Sequence, residues 1–112
     1  MSPITTHVLD TARGRPAAGV PAILELRSGP EAWTEQGRGA TDADGRIKDL
    51  ATGLLVPGIY RLTFDTAAYF RAQQVEAFYP YVAIVFEVRE PAQHHHVPLL
   101  LSPFGYSTYR GS

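Results

Sequence analysis

The sequence contains no cysteine. That excludes disulfides, thiolate metal sites and a cysteine nucleophile together, and it leaves the redox character of the compartment open. A dominant charge of one sign is missing too. Ten Lys and Arg stand against eleven Asp and Glu, for a net charge of −1. No basic run stands out, so the electrostatic footprint of a nucleic-acid or membrane-surface binder is absent. Long apolar runs are also lacking. The longest, Val97 to Leu101, includes Pro98 and falls far short of the ~20 residues that cross a bilayer. The opening Met1-Ser2-Pro3-Ile4-Thr5-Thr6-His7 has neither the basic nor the apolar region of a leader, so the expected location is the cytoplasm.

What is present is a chain of 112 residues with 45% apolar and 19% charged residues. This suffices for one domain with a real core, taken as residues 1–112, and is too little for two. Ten Gly and nine Pro punctuate the chain at short intervals. Between them lie short runs with β-branched and aromatic residues, the pattern of an all-β sandwich or barrel. Strands are predicted at Ile4–Leu9, Ala22–Ser28, Trp33–Thr41, Gly58–Asp65, Val82–Arg89, His94–Leu101 and Gly105–Arg110. Asp44-Gly45 reads as a hairpin-type turn and Pro57-Gly58 as another turn. Asp65–Gln74 breaks the strand rhythm with helix formers behind a capping Asp or Thr, so one short helix is expected there. Asp42-Ala43-Asp44-Gly45 has a superficial likeness to a calcium loop, but the remaining ligands, including the closing Glu, are missing.

Three of the four histidines, His94, His95 and His96, are adjacent and lead into Val97-Pro98-Leu99-Leu100-Leu101. Strand alternation puts His94 and His96 on one face with Pro98 and Leu100, and His95 on the other with Val97, Leu99 and Leu101. A histidine titrates near neutral pH, so His96 can take and return a proton. A surface histidine tract at a strand entrance gives the same pattern without chemistry. Two same-face histidines with no Cys or clear carboxylate partner are a thin ligand set, and no metal is expected. His7 in the first strand, Arg46 after the Asp44-Gly45 turn, and Tyr109-Arg110-Gly111-Ser112 after the last strand are further candidates, each with an ordinary structural explanation. A strand carrying an aromatic, an Arg and a Gly into a segment that would normally fray suggests that the tail is held and used.

These scattered features coincide with a family pattern. Val8-Leu9-Asp10, Arg13-Gly14 to Pro16-Ala17, Gly58-Ile59-Tyr60, Leu100-Leu101-Ser102-Pro103 and Tyr106-Ser107-Thr108 resemble the transthyretin scaffold, from about Ile4 to Ser112. The resemblance implies two four-stranded sheets in a sandwich, with one short helix after the fifth strand. Within the family, transthyretin carries thyroid hormone, and a hydrolase branch lines the matching channel with His, Arg, His and a terminal Tyr-Arg-Gly-Ser. His7, Arg46, His96 and Tyr109-Arg110-Gly111-Ser112 match all four elements. His95 stands where the family usually shows Tyr, and little consequence is expected of it.

The resemblance implies a homotetramer, built as a dimer of dimers, that hydrolyses 5-hydroxyisourate to 2-oxo-4-hydroxy-4-carboxy-5-ureidoimidazoline without cofactor or metal, and without nucleic-acid or membrane partners. In that reading His7, His96 and Ser112 activate and orient water, either histidine being the base. Arg46 stabilises the oxyanion, and Tyr109 and Gly111 contact the heterocycle. Arg110 is grouped with this substrate-binding tail, although alternation turns its side chain from the channel face toward a tethering role. His94→Ala and His95→Ala are expected to be near neutral. The rivals are a transthyretin-like carrier without chemistry and a β-sandwich interaction module, both of which leave the His7, Arg46, His96 and tail set without a purpose.

Overall fold

A period of two runs through the long strands and sorts the chain into two layers. In the first strand Ile4, Thr6, Val8 and Asp10 are buried while Thr5, His7 and Leu9 face outward. In Gly58–Phe64 the buried set is Tyr60, Leu62 and Phe64. The computed structural model describes residues 3–51 and 53–112. Met1 and Ser2, at the start of the N-terminal segment read above, and Thr52 lie outside the described residues.

The elements run β1 (Ile4–Asp10), β2 (Arg15–Pro16), β3 (Pro21–Gly29), β4 (Ala32–Ala40), β5 (Arg46–Ile47), β6 (Gly58–Phe64), α1 (Thr66–Arg71), β7 (Val82–Val88), β8 (His95–Ser102) and β9 (Gly105–Thr108). One sheet has the order β2-β1-β8-β9, with β5 also paired to β1; the other has the order β4-β3-β6-β7. β1 and β8 are parallel along their whole shared length, from Ile4↔His95 to Asp10↔Leu101. The sheets close on Ile4, Leu24, Tyr60, Leu62, Phe64 and Leu99, all essentially inaccessible. Each such burial contributes about 1.5–3 kcal/mol. Among the described residues no helix is long and apolar enough to cross a membrane.

The all-β sandwich with one short helix is as the sequence indicates, and the seven long strands fall within a residue or two of their predicted limits. Three details differ. β2 and β5 were not anticipated, because two residues carry no period; they share the outer edge of β1 and make its sheet five-stranded. The Asp44-Gly45 turn does not close a hairpin, since it carries the chain from β4 in one sheet to β5 in the other. The last strand stops at Thr108 rather than Arg110, but an isolated bridge His96↔Gly111 continues the register of Leu99↔Thr108. The break falls where Tyr109 would oppose Pro98, which has no N–H to give the ladder.

The helix begins as expected, with Asp65 as its N-cap accepting from the Ala68 N–H at 3.1 Å, but it ends at Arg71, short of the expected Gln74. It is moored to the first sheet by Asp10, which is only 1% exposed. Asp10 accepts from the Tyr69 hydroxyl at 2.6 Å and from the Arg13 N–H at 3.0 Å. Burial, followed by the bond to Asp10, raises the Tyr69 phenol pKa.

Candidate functional site

Cross-strand partners in a sheet point to the same side. The outward residues of β1 therefore recruit their neighbours in rows. His7 pairs with Arg46 of β5 on one side and with Pro98 of β8 on the other. Thr5 pairs with His96, which is bridged in turn to Gly111. Leu9, Leu100 and Ser107 form a third row. Rows on one face repeat every two residues, ~7 Å apart, and strands lie ~5 Å apart, so His7, Arg46 and His96 are near neighbours on one surface.

The Asp42–Arg46 turn holds Arg46 in place. The Asp42 carboxylate accepts from the N–H groups of Asp44 at 2.9 Å and Arg46 at 3.0 Å, and the Asp42 N–H donates to the Arg46 carbonyl at 2.8 Å. The bond from the Arg46 backbone is the chief reason that the Asp42 pKa is lowered. The carboxylate that resembled a calcium ligand is thus taken up by backbone amides. Gly45 has φ +77°, and a Cβ there would stand 2.4 Å from the Val8 carbonyl oxygen. Only glycine lets this turn approach β1 so closely.

His96 is half-buried and held from two sides. Its Nδ1 lies 2.8 Å from the Thr5 hydroxyl, and the same hydroxyl lies 2.9 Å from His94 Nε2. The two rings are nearly parallel, 6.3 Å between centroids. On the tail side the Gly111 N–H donates to the His96 carbonyl at 2.9 Å, and a Cβ on Gly111 would come within 2.5 Å of His96 Cδ2. Burial lowers the His96 pKa, and the charges of Arg46, His94 and His7 lower it further. Each of these effects favours the neutral imidazole.

His95 faces the opposite way, as alternation requires, and is 5% exposed with its Nδ1 unpartnered among the described residues. It lines, together with His96, a cleft of about 240 Å³ beside β7 and β8 that also takes in Ile84, Phe86, Tyr109 and Arg110. This placement adds a cost in stability to a substitution expected to be near neutral for turnover. Removing a buried ring should cost about 2 kcal/mol, seen as a lower urea midpoint. Burial, then Arg110, lowers the His95 pKa from 6.5. A lowered folded-state pKa means that the unfolded chain binds the proton first. Stability is therefore full above 6.5 and is lost as pH falls through the folded value. Wild type should lose stability faster than His95→Ala below that point, and parallel pH profiles would refute the assignment.

The structure brings His7, Arg46 and His96 together, with Gly111 against His96. Tyr109 and Ser112 are exposed on the adjoining tail; Tyr109 lines the cleft shared by His95 and His96, and Ser112 a shallow depression with His94 and Gly111. Arg110 lines both of these pockets and donates to Gln93 Oε1 at 3.1 Å, a bond that ties the tail to the segment before β8. Sequence reasoning missed Thr5, and it treated His94 as inert. Alternation puts Thr5 on the face of His7, but its meeting with two histidines depends on the parallel β1–β8 register, which no local signal reveals. A neutral imidazole, a second imidazole and a guanidinium on one face suit the addition of water to a carbonyl.

A family model described as "HIUase/Transthyretin family" matches residues 4–111. The 5-hydroxyisourate hydrolase of Mus musculus is 49% identical over 113 residues, covering 99% of this chain and 96% of that one. The structure of Klebsiella pneumoniae 5-hydroxyisourate hydrolase superposes with a TM-score of 0.86 at 35% identity, covering 97% of this chain and 98% of that one. Sea bream transthyretin in complex with thyroxine superposes with a TM-score of 0.92, also at 35% identity, covering 97% and 94%. The backbone alone therefore accommodates both occupations.

Proposed function

The chain belongs to the HIUase/Transthyretin family, and from that premise we propose that it is a 5-hydroxyisourate hydrolase, a single catalytic domain acting in urate breakdown. The observation that carries this reading is the row Arg46–His7 beside His96, three groups suited to water activation and oxyanion binding on one open face. A water oxygen bonds to the carbonyl carbon of one ring amide while His96 takes the water's proton. Arg46 holds the oxygen that gains negative charge, where a fixed cation lowers the barrier more than solvent does. The ring C–N bond then breaks, the departing nitrogen takes the proton that His96 holds, the new carboxyl group gives its proton to solvent, and the product carries a carboxylate and a ureido group. His7, between Arg46 and Pro98, orients the water. Tyr109 lies against the flat heterocycle, Gly111 and Ser112 close the tail side, and Arg110 anchors the tail through Gln93. Neither a metal nor an organic cofactor takes part in this sequence.

An open face of His and Arg beside Pro98 and Leu100 calls for a cover. A homotetramer, as a dimer of dimers, encloses it and excludes bulk water from the reaction. The cytoplasm is the proposed location. The carrier reading has the thyroxine-bound sea bream protein in its favour, yet it gives His7, Arg46 and His96 nothing to do. The test is the ultraviolet decay of freshly made 5-hydroxyisourate with and without protein, on a sample sized by light scattering. A hydrolase accelerates the decay in proportion to its concentration. An unchanged decay rate leaves the carrier, and a fully active stable monomer removes the tetramer.

A further inference from the structure

The Thr5 hydroxyl is shared between two imidazoles, at 2.8 Å from His96 Nδ1 and 2.9 Å from His94 Nε2. A hydroxyl has one proton to give and two lone pairs to receive with. If it donates to His96, then His96 carries its proton on Nε2 and has no free nitrogen with which to accept one from water. If it donates to His94, His96 Nδ1–H donates to Thr5 and Nε2 is bare. The two arrangements give opposite chemistry from the same heavy-atom positions.

The placement of the ring chooses between them. The Thr5 hydroxyl occupies Nδ1, so Nε2 is the nitrogen left for water. A base must be bare at that nitrogen, and a neutral ring bare at Nε2 carries its proton on Nδ1 and donates it to the Thr5 hydroxyl. The Thr5 hydroxyl proton is then left for His94 Nε2, and every bond in the chain is satisfied by one assignment. The other edge of the ring, where Cδ2 adjoins Nε2, faces Gly111. The remaining groups that act on the ring by charge are Arg46 on β5, His7 on β1 and His94 just before β8, and none of them alters the tautomer argument.

We propose that Thr5 and His94 are positioning residues that fix His96 as its Nδ1–H tautomer and leave Nε2 bare beside the Gly111–Ser112 tail. His94 receives the Thr5 proton, Thr5 receives the His96 proton, and water meets the free Nε2. This role rests on reading His96 as the base of the hydrolase, and it names which nitrogen does the work. It also replaces the expectation that His94→Ala is silent.

The test reads the tautomer in the substrate-free protein and the rate separately. Wild-type protein labelled with heavy nitrogen in histidine is examined by long-range proton–nitrogen NMR, well above the imidazole pKa so that the rings are neutral. His96 should appear with its proton on Nδ1. Thr5→Val keeps the branched shape and removes the hydroxyl; His96 should then shift toward Nε2–H, with kcat/KM falling at least about tenfold. Thr5→Ser should restore both tautomer and rate, which a packing role for the lost hydroxyl would not require. His94→Ala should shift both in the same direction by less. A wild-type His96 protonated on Nε2, or a tautomer unmoved by Thr5→Val, overturns the proposal. Wild-type protein that does not hydrolyse 5-hydroxyisourate overturns the hydrolase reading instead, and the tautomer result still decides the hydrogen-bond chain.

Discussion

His96→Ala is expected to lower kcat/KM for 5-hydroxyisourate by about a hundred- to ten-thousand-fold, the range that a general base contributes. Stability should change less than for His95→Ala, because His96 is half-buried on the outward face while His95 is buried. His7→Ala should be comparably damaging, since His7 sits between Arg46 and Pro98 in the register. If the two histidines act on one water, the double variant should lose far less than the product of the single losses. The pH dependence carries a sign that can be checked. His96 acts as the free base, so activity is lost as pH falls through its pKa, and burial, followed by the Arg46 guanidinium, places that value below 6.5. Arg46→Ala removes one cause of the depression but not the largest. The acid limb should move upward in pH while staying below that of an exposed histidine, alongside a lower rate from the lost oxyanion partner. An acid limb indifferent to Arg46 would show that His96 is not the titrating base.

Much of this was legible in the sequence, for reasons that differ by residue. The facing of the histidine tract follows from alternation alone, since one residue of slip would exchange His95 and His96, and Val97, Leu99 and Leu101 had to face the core. The Asp65 cap marks its helix because capping is local. What stayed hidden is what depends on contacts distant in sequence. Arg46 follows a turn that looks like a hairpin; that it crosses between sheets and returns to β1 is settled by the packing of Gly45 on Val8. Thr5 meets His94 and His96 only because β1 and β8 run parallel in a particular register. His95 was read correctly for direction, and because facing away from the site here means facing into the core, its removal should be felt in stability rather than in turnover.

The tail should be as decisive as the base, and it offers a cleaner separation of fold from site. Gly111 owes its place to what a side chain would strike: a Cβ there would lie 2.5 Å from His96 Cδ2 and 3.2 Å from Cγ. Its conformation is not the constraint, since it is absent from the positive-φ glycines. Gly111→Val therefore forces either the ring or the tail to move, and each outcome spoils the relation between the base and the tail. A loss of at least a hundredfold in kcat/KM is expected, with the urea midpoint nearly unchanged. Deleting Tyr109 to Ser112 should abolish measurable hydrolysis at a similarly small cost in stability. Tyr109, Arg110 and Ser112 are exposed, and the backbone bond of Gly111 to His96 is the main attachment lost. The pair of variants is informative because they act on His96 in opposite ways, one crowding the ring and the other freeing it. If the deletion restores the rate that Gly111→Val removes, crowding alone was at fault and the tail is a bystander. If both are inactive while Thr5→Ser remains active, His96 works only with a correctly seated tail beside it.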